Sequence, residues 1–318
     1  MIGMSSHPQL IFDGASLGAA FATTAEVSTL LETLKSSGIS RIDTAARYPP
    51  TNPNASERLL GETNVAARGF SIDSKIFCPG PPEGHLAPDL VRKSLKETYD
   101  RLNLGDKRLN VLHCHRPDPV TPLEEQAEVL NEQHKAGLFD KLGISNFDIE
   151  MIEKYIAICE EKGYVKPTVY QGMYNLVCRD IEKTLFPTLR KHHIVFNAYS
   201  PLAGGFLNGK LSSGETEGTR FEAGNVMDQG YRMIYDKKEM HDAIQFLTTI
   251  LVSKGISKVE ASLRWVAYHS QLNETDGIIL GASSLSQIVQ NMDAIAKGPL
   301  DESIAAAIEE MWNRMSVP

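Results

Sequence analysis

The sequence lacks most of the features that mark specialised classes of protein. Only four of its 318 residues are cysteine, Cys78, Cys114, Cys159 and Cys178, and no two form a C-x-x-C pair. That spacing excludes a disulfide framework and a structural zinc site, and it fits reduced thiols in a cytoplasmic protein. No apolar run approaches the roughly 18 residues of a membrane span. Residues 1–10 also lack the basic and apolar segments of a secretory leader, so no membrane association is expected. Positive charge is in deficit: 32 Lys and Arg stand against 40 Asp and Glu, a net charge of −8. A nucleic-acid partner is therefore not expected. No G-x-G-x-x-G occurs, which removes the fingerprint of a doubly wound dinucleotide-binding sheet. Residues 204–211 nearly spell a phosphate loop, but Leu211 stands where the metal-binding Ser or Thr would be.

What is present is an ordinary globular composition, 42% apolar and 23% charged. Val27, Leu30, Leu31 and Leu34 fall on one helix face, Thr23 and Glu26 form a capping box before them, and Gly38 stops the helix. Pro88, Val91, Leu95 and Leu102 mark another helix. Thr121, Pro122 and Glu124 read as a second capping box with proline at N1, closed by Gly137. Ile149, Ile152, Ile156 and Cys159, then Gly163, mark one more. Short apolar segments read as strands at residues 10–15, 41–43, 70–75, 109–115, 141–145, 169–171, 194–199 and 277–281. From the second to the seventh, successive centres lie about 27 to 39 residues apart, one βα unit per step. The last step is about 82 residues, room for an insertion over residues 204–254. Eight such units predict a single (β/α)₈ TIM barrel domain over residues 1–318, with an extended loop after strand 7 and a C-terminal helix.

In such a barrel the chemistry collects at the C-terminal ends of the strands. Strand 2 runs into Asp43 and Tyr48, strand 3 ends at Lys75, and strand 4 ends at His115. A free phenol titrates near 10, too high for easy proton exchange at neutral pH. A neighbouring ammonium favours the phenolate and lowers that value, and a carboxylate keeps the ammonium aimed. A histidine orients a carbonyl oxygen or passes a proton. The set predicts a general acid that protonates a carbonyl oxygen while hydride reaches carbon. No metal is needed: His113 and His115 share a strand face, but two ligands without a third are not a site. Each residue also has an ordinary reading: Asp43 as a turn cap, Tyr48 as a rim aromatic, Lys75 as solvated charge. Ser284 to Gln287 form a third capping box after strand 8, so a helix N-terminus is expected there, where a phosphate is favoured.

Asp43-Thr44-Ala45 with Tyr48, Lys75, His115-Arg116-Pro117-Asp118, Gly143-Ile144-Ser145-Asn146-Phe147 and Gln171 together resemble the aldo-keto reductases. The resemblance runs over residues 10–312. Residues 167–175 and 197–205, with Trp265 and residues 269–272, are similar to the aflatoxin-aldehyde (succinic-semialdehyde) reductase subfamily. The resemblance implies reduction of an aldehyde or ketone to an alcohol with NADPH, NADH being the alternative. Tyr48 is then the acid, Asp43 and Lys75 tune it, and His115 orients the carbonyl. Ser145, Asn146 and Gln171 hold the nicotinamide carboxamide, and Tyr199 stacks on the ring. Ser200, Leu202, Gly204 and Lys210 wrap the pyrophosphate under an extended loop that covers the cofactor. Ser283, Ser284, Gln287, Gln290 and Asn291 hold the adenosine end. A small carbonyl compound is the implied partner, and a homodimer the implied oligomer.

The chain departs from that pattern in places. Gly281, Ala282, Ser283, Ser284 and Gln287 carry no charge where many members surround the 2′-phosphate with Lys and Arg, so Lys210 and Arg220 are the expected substitutes. Arg47, before Tyr48, reads either as a ligand for an acidic substrate group or as a solvated charge. Tyr174 and the Tyr231-Arg232 pair are candidate substrate contacts, with Ile234 in place of a second arginine. The alternative reading is a cofactor-binding regulatory protein that resembles the potassium-channel β subunits and turns over little. A third is a barrel enzyme that works without nicotinamide.

Overall fold

The computed structural model describes residues 7–80 and 84–315. All eight expected strands are present: β1 Gln9–Asp13, β2 Arg41–Asp43, β3 Ser71–Lys75, β4 Leu109–Cys114, β5 Phe139–Ser145, β6 Pro167–Met173, β7 Val195–Tyr199 and β8 Gly277–Leu280. Each pairs in parallel with its neighbours in chain order, and β8 pairs back onto β1 to close the barrel. Parallel order requires a crossover after every strand, and a helix supplies each one, giving the expected (β/α)₈ TIM barrel. Among the described residues no helix is long and apolar enough to cross a membrane.

Local chemistry sets the ends of the elements. Thr23 caps helix Thr24–Ser36 reciprocally: its Oγ1 accepts from Glu26 N at 3.2 Å, and Glu26 Oε2 accepts from Thr23 N at 2.9 Å. Val27, Leu30, Leu31 and Leu34 are buried on one face, as their spacing requires. Helix Ile149–Lys162 starts behind Asp148 and stops at Gly163, where a φ of 65° suits glycine. Thr121 departs from expectation. Helix Leu123–Lys135 takes Pro122 as its N-cap, and Thr121 Oγ1 donates to Asp118 Oδ2 at 2.7 Å instead of capping. A carboxylate is the stronger acceptor and draws the hydroxyl away from the helix. The box after β8 is half formed. Ser284 Oγ accepts from Gln287 N at 3.3 Å, but Gln287 Oε1 reaches past Ser284 to Ser283 N at 2.8 Å.

Between β7 and β8 lie helices Lys210–Ser213, Asp228–Tyr235, Lys238–Val252 and Lys258–Tyr268. The last, buried along most of its length, is the crossover helix; the others form the expected insertion. Helix Glu302–Met315 buries Ile304, Ile308 and Met311 and packs on Lys238–Val252. Arg179 ties it to the barrel, donating to both carboxylate oxygens of Glu309 at 2.8 and 2.9 Å.

The apolar core lies between strands and helices, where Leu112, Ile144 and Phe196 are buried. Inside the barrel the character reverses. Asp43, Asp73, Lys75, His113, Gln171 and Asn197 are buried there. Buried charge destabilises unless paired. Arg41 meets Asp73 at 2.8 Å, and Lys75 meets Asp43 at 2.6 Å. Those pairs hold the polar side chains in fixed positions below the barrel mouth.

Candidate active site

Four side chains from three neighbouring strand ends converge at the mouth. Lys75 Nζ donates to Asp43 Oδ2 at 2.6 Å and to the Thr44 carbonyl at 2.8 Å. The same Nζ lies 4.8 Å from the centre of the Tyr48 ring. Tyr48 is positioned by a tight turn after β2, its N–H donating to the Ala45 carbonyl at 2.9 Å. The His115 ring stands edge-on to Tyr48, with centroids 5.8 Å apart. Asp43 uses its second oxygen to accept from Gln171 Nε2 at 2.8 Å, which ties β2 to β6 across the barrel.

Burial dominates the electrostatics. It pushes the Tyr48 phenol well above its ordinary value of 10, and the negative charges of Asp43 and Asp13 push the same way. The expected net lowering is thus corrected: burial outweighs the nearby ammonium, which donates to Asp43 and Thr44 and lies over the Tyr48 ring. Tyr48 is a protonated acid at neutral pH. Burial also holds His115 well below 6.5, helped by Lys75, Arg116 and Arg47. The ring is neutral, and its buried Nδ1 has no partner.

A second group faces Tyr48 from β5 to β7. Asn146, in the left-handed region at φ 63°, donates from Nδ2 to Ser145 Oγ at 3.0 Å and to the His115 carbonyl at 3.3 Å. The Tyr199 hydroxyl donates to Asn146 Oδ1 at 3.3 Å, and burial raises that phenol to about 12. Ser145 and Gln171 are register partners on β5 and β6, so their side chains emerge side by side. Ser200, Ala203 and Gly204 all take positive φ directly after β7, so the backbone turns sharply there. Leu202 caps the short turn that follows. A Cβ on Gly204 would lie 2.2 Å from Tyr231 Cε1, so the tyrosine ring rests on bare backbone. Arg220 Nη1 donates to the Tyr231 hydroxyl at 2.9 Å, and Lys210 is exposed nearby in sequence. Ser283, Gln287 and Gln290 are exposed around the start of helix Leu285–Ala296, whereas Asn291 is buried at 7% exposure.

Two candidate substrate contacts are not brought to the site. Tyr174 follows β6 but points outward, fully buried against Phe186, Phe196 and Trp265. Its hydroxyl is held by Glu182 at 2.5 Å and by Gln271 N at 3.2 Å. Arg232 is consumed inside the insertion by Asp228, Asp236 and the Phe221 carbonyl, at 2.6, 2.7 and 2.6 Å. Sequence reasoning in turn passed over Asp13, at the end of β1 and in register with Asp43. Applying the strand-end rule to β1 would have found it. It also gave no role to Arg116, whose Nη1 donates to the Gly80 carbonyl at 3.0 Å.

Asp43, Asp73 and His113 bring three donor atoms within 4.8 Å of one another. Both carboxylates already pair with cations, Lys75 and Arg41, so a divalent ion would add charge where it is balanced.

A family model described as the Aldo/keto reductase family matches residues 10–313. An aldo-keto reductase of Pseudocercospora fijiensis is 32% identical over 295 residues, 91% of this chain and 98% of the relative. Aflatoxin B1 aldehyde reductase member 2 of Mus musculus is 35% identical over 309 residues, 93% and 82% of the two chains. Oxidoreductase sirO of Leptosphaeria maculans is 32% identical over 323 residues, 97% and 96%. The chain belongs to the aldo/keto reductase family and is an oxidoreductase of carbonyl compounds.

Proposed function

We propose that the protein reduces an aldehyde or ketone to an alcohol with NADPH, and that Tyr48 is the proton donor. The observation that carries this reading is the buried Lys75–Asp43 pair, whose ammonium lies 4.8 Å from the centre of the Tyr48 ring. When bound, a nicotinamide cofactor supplies the hydride. The residues present fit that group. Ser145, Asn146 and Gln171 offer amide and hydroxyl groups suited to a carboxamide, and Tyr199 offers a ring face beside them. The positive-φ backbone at Gly204 leaves room for a close approach, and helix Leu285–Ala296 presents its N-terminus to an anion. Lys210 and Arg220 supply the cations for a 2′-phosphate.

Within this frame each residue has a physical task. His115, neutral and with one nitrogen unpartnered, holds the substrate oxygen by the N–H of its ring. Tyr48 is protonated in the ground state and gives its proton to that oxygen. The phenolate left behind is stabilised by Lys75, fixed in place before the charge develops, so no reorganisation is needed. Asp43 keeps Lys75 charged and aimed.

The test is Tyr48→Phe, assayed for NADPH oxidation over a panel of aldehydes and ketones beside wild type. Turnover is expected to vanish while NADPH affinity, read by fluorescence titration, stays close to wild type. Undiminished turnover in the variant would overturn the assignment of the acid.

A further inference from the structure

We infer that Asp13 sets a negative charge against the nicotinamide ring, so that it favours the positively charged oxidised ring over the neutral reduced one and assists the departure of hydride. This rests on the cofactor-dependent reduction proposed above. Asp13 closes β1, in register with Asp43 on β2. On its other side β1 pairs with β8. The carboxylate therefore stands between the strand that leads to Tyr48 and the strand that leads to Ser283 and helix Leu285–Ala296. A Cβ on Gly281 would lie 3.5 Å from Asp13 Oδ2, so that oxygen reaches the first residue after β8. The other oxygen, Oδ1, accepts from Ala15 N at 2.9 Å, which fixes the side chain.

The neighbouring charges leave this one standing. Lys75 and Asp43 offset each other at 2.6 Å, and Tyr48 and His115 are neutral. Burial and the charge of Asp43 raise the pKa of Asp13, while the Ala15 N–H, Arg220 and Lys75 act against them. Of those two cations, Lys75 is bound to Asp43, and Arg220 is exposed on the insertion, where solvent screens it. Asp13 is thus a half-buried carboxylate on the β1 wall of the mouth.

The reaction says what meets it. Hydride must reach the carbon whose oxygen Tyr48 protonates, so the ring lies beside Tyr48. The charge of Asp13 extends that far, since it helps to raise the Tyr48 phenol. As hydride moves to the carbonyl carbon and the Tyr48 proton to the oxygen, two charges develop: a phenolate at Tyr48 and a cation on the ring. Lys75 faces the first, 4.8 Å from the centre of the Tyr48 ring, and Asp13 faces the second. Fixed charges of opposite sign then stand where charge appears, with no reorganisation required.

Asp13→Asn tests this, because it keeps an oxygen for Ala15 N and removes the charge. The readout is the ratio of dissociation constants for NADP⁺ and NADPH, by calorimetry, on wild type, Asp13→Asn and Asp13→Glu. The two nucleotides share their phosphates, riboses and adenine, so the ratio isolates the charge of the ring. The asparagine variant should weaken NADP⁺ relative to NADPH by about fivefold to tenfold, the scale of one partly screened unit charge. The glutamate variant should keep most of the wild-type ratio, and NAD⁺ with NADH should shift by the same factor. Asp13→Ser, a second neutral cap, replaces the asparagine variant should that one fail to fold. An unchanged ratio in the neutral variants, with both nucleotides bound, would overturn the role of Asp13 and leave the reductase standing. So would a loss of both affinities by one common factor, which would mark a contact to a shared part of the nucleotide. Wild type that binds neither nucleotide would overturn the cofactor reading and this inference with it.

Discussion

Lys75 is enclosed on every side, and its charge is tolerated because Asp43 lies 2.6 Å away and the Thr44 carbonyl 2.8 Å away. Lys75→Met would strand the Asp43 carboxylate with Gln171 as its remaining partner, a loss of about 3–5 kcal/mol in urea unfolding. Asp43→Asn with Lys75→Met removes both charges and should recover most of that loss, while both proteins stay inactive. Turnover restored in the double variant would reduce the pair to a structural role. His115 makes a second prediction at this scale. Because burial and Lys75 hold it neutral, kcat/KM should show no ionisation near pH 6.5; an inflection there would place a titrating histidine in the reaction. Asp43, Tyr48, Lys75 and His115 were legible in the sequence because each closes or follows one of the strands β2, β3 and β4. Tyr174 and Arg232 were not. The direction of Tyr174 depends on Glu182 and Trp265, and the pairing of Arg232 on Asp228 and Asp236, none of which a strand-end pattern specifies.

The eight strands and the reciprocal cap at Thr23 follow from local pattern, because alternation, capping chemistry and helix stops act within a few residues. The cap assigned to Thr121 failed because Asp118, only three residues away, accepts its hydroxyl first. The insertion after β7 was legible as a gap in spacing but not in its packing, which turns on one glycine. Gly204 has φ 65° and supports the Tyr231 ring, which in turn holds Arg220. Gly204→Ala costs about 1–2 kcal/mol in backbone strain alone and also drives Tyr231 off its seat. The expected result is faster proteolytic cleavage within residues 215–230 and a several-fold weaker NADPH affinity. Gly205→Ala is the control, since it too has positive φ, at 103°, but a Cβ there would meet nothing closer than Asn208 Nδ2 at 3.8 Å. Equal effects in the two variants would assign the outcome to strain and not to Tyr231.

At the scale of the whole molecule, barrel closure was legible from the count and spacing of βα units. The polar interior was not, because its pairs span residues as distant as Arg41 and Asp73 or Asp43 and Gln171. His113 shows what that interior does to stability. It is fully buried, both ring nitrogens lack partners, and burial with the charges of Lys75 and Arg41 holds it well below 6.5. In the unfolded chain the same histidine gains its proton below about pH 6.5. Acid therefore favours unfolding, since the unfolded state binds a proton that the folded state refuses. Asp13 and Asp73 act in the opposite sense, because their raised folded values let the native state take protons first as pH falls toward the carboxylate range. Comparing wild type with His113→Asn subtracts those shared contributions. Between pH 7.5 and 5, wild type should lose about 2 kcal/mol of unfolding free energy relative to the variant, measured by urea titration at each pH. Parallel stability curves would mean that His113 is protonated inside the folded barrel. Its charge would then lie among Asp43, Asp73 and Lys75, and the balance drawn here for the floor of the active site would be wrong.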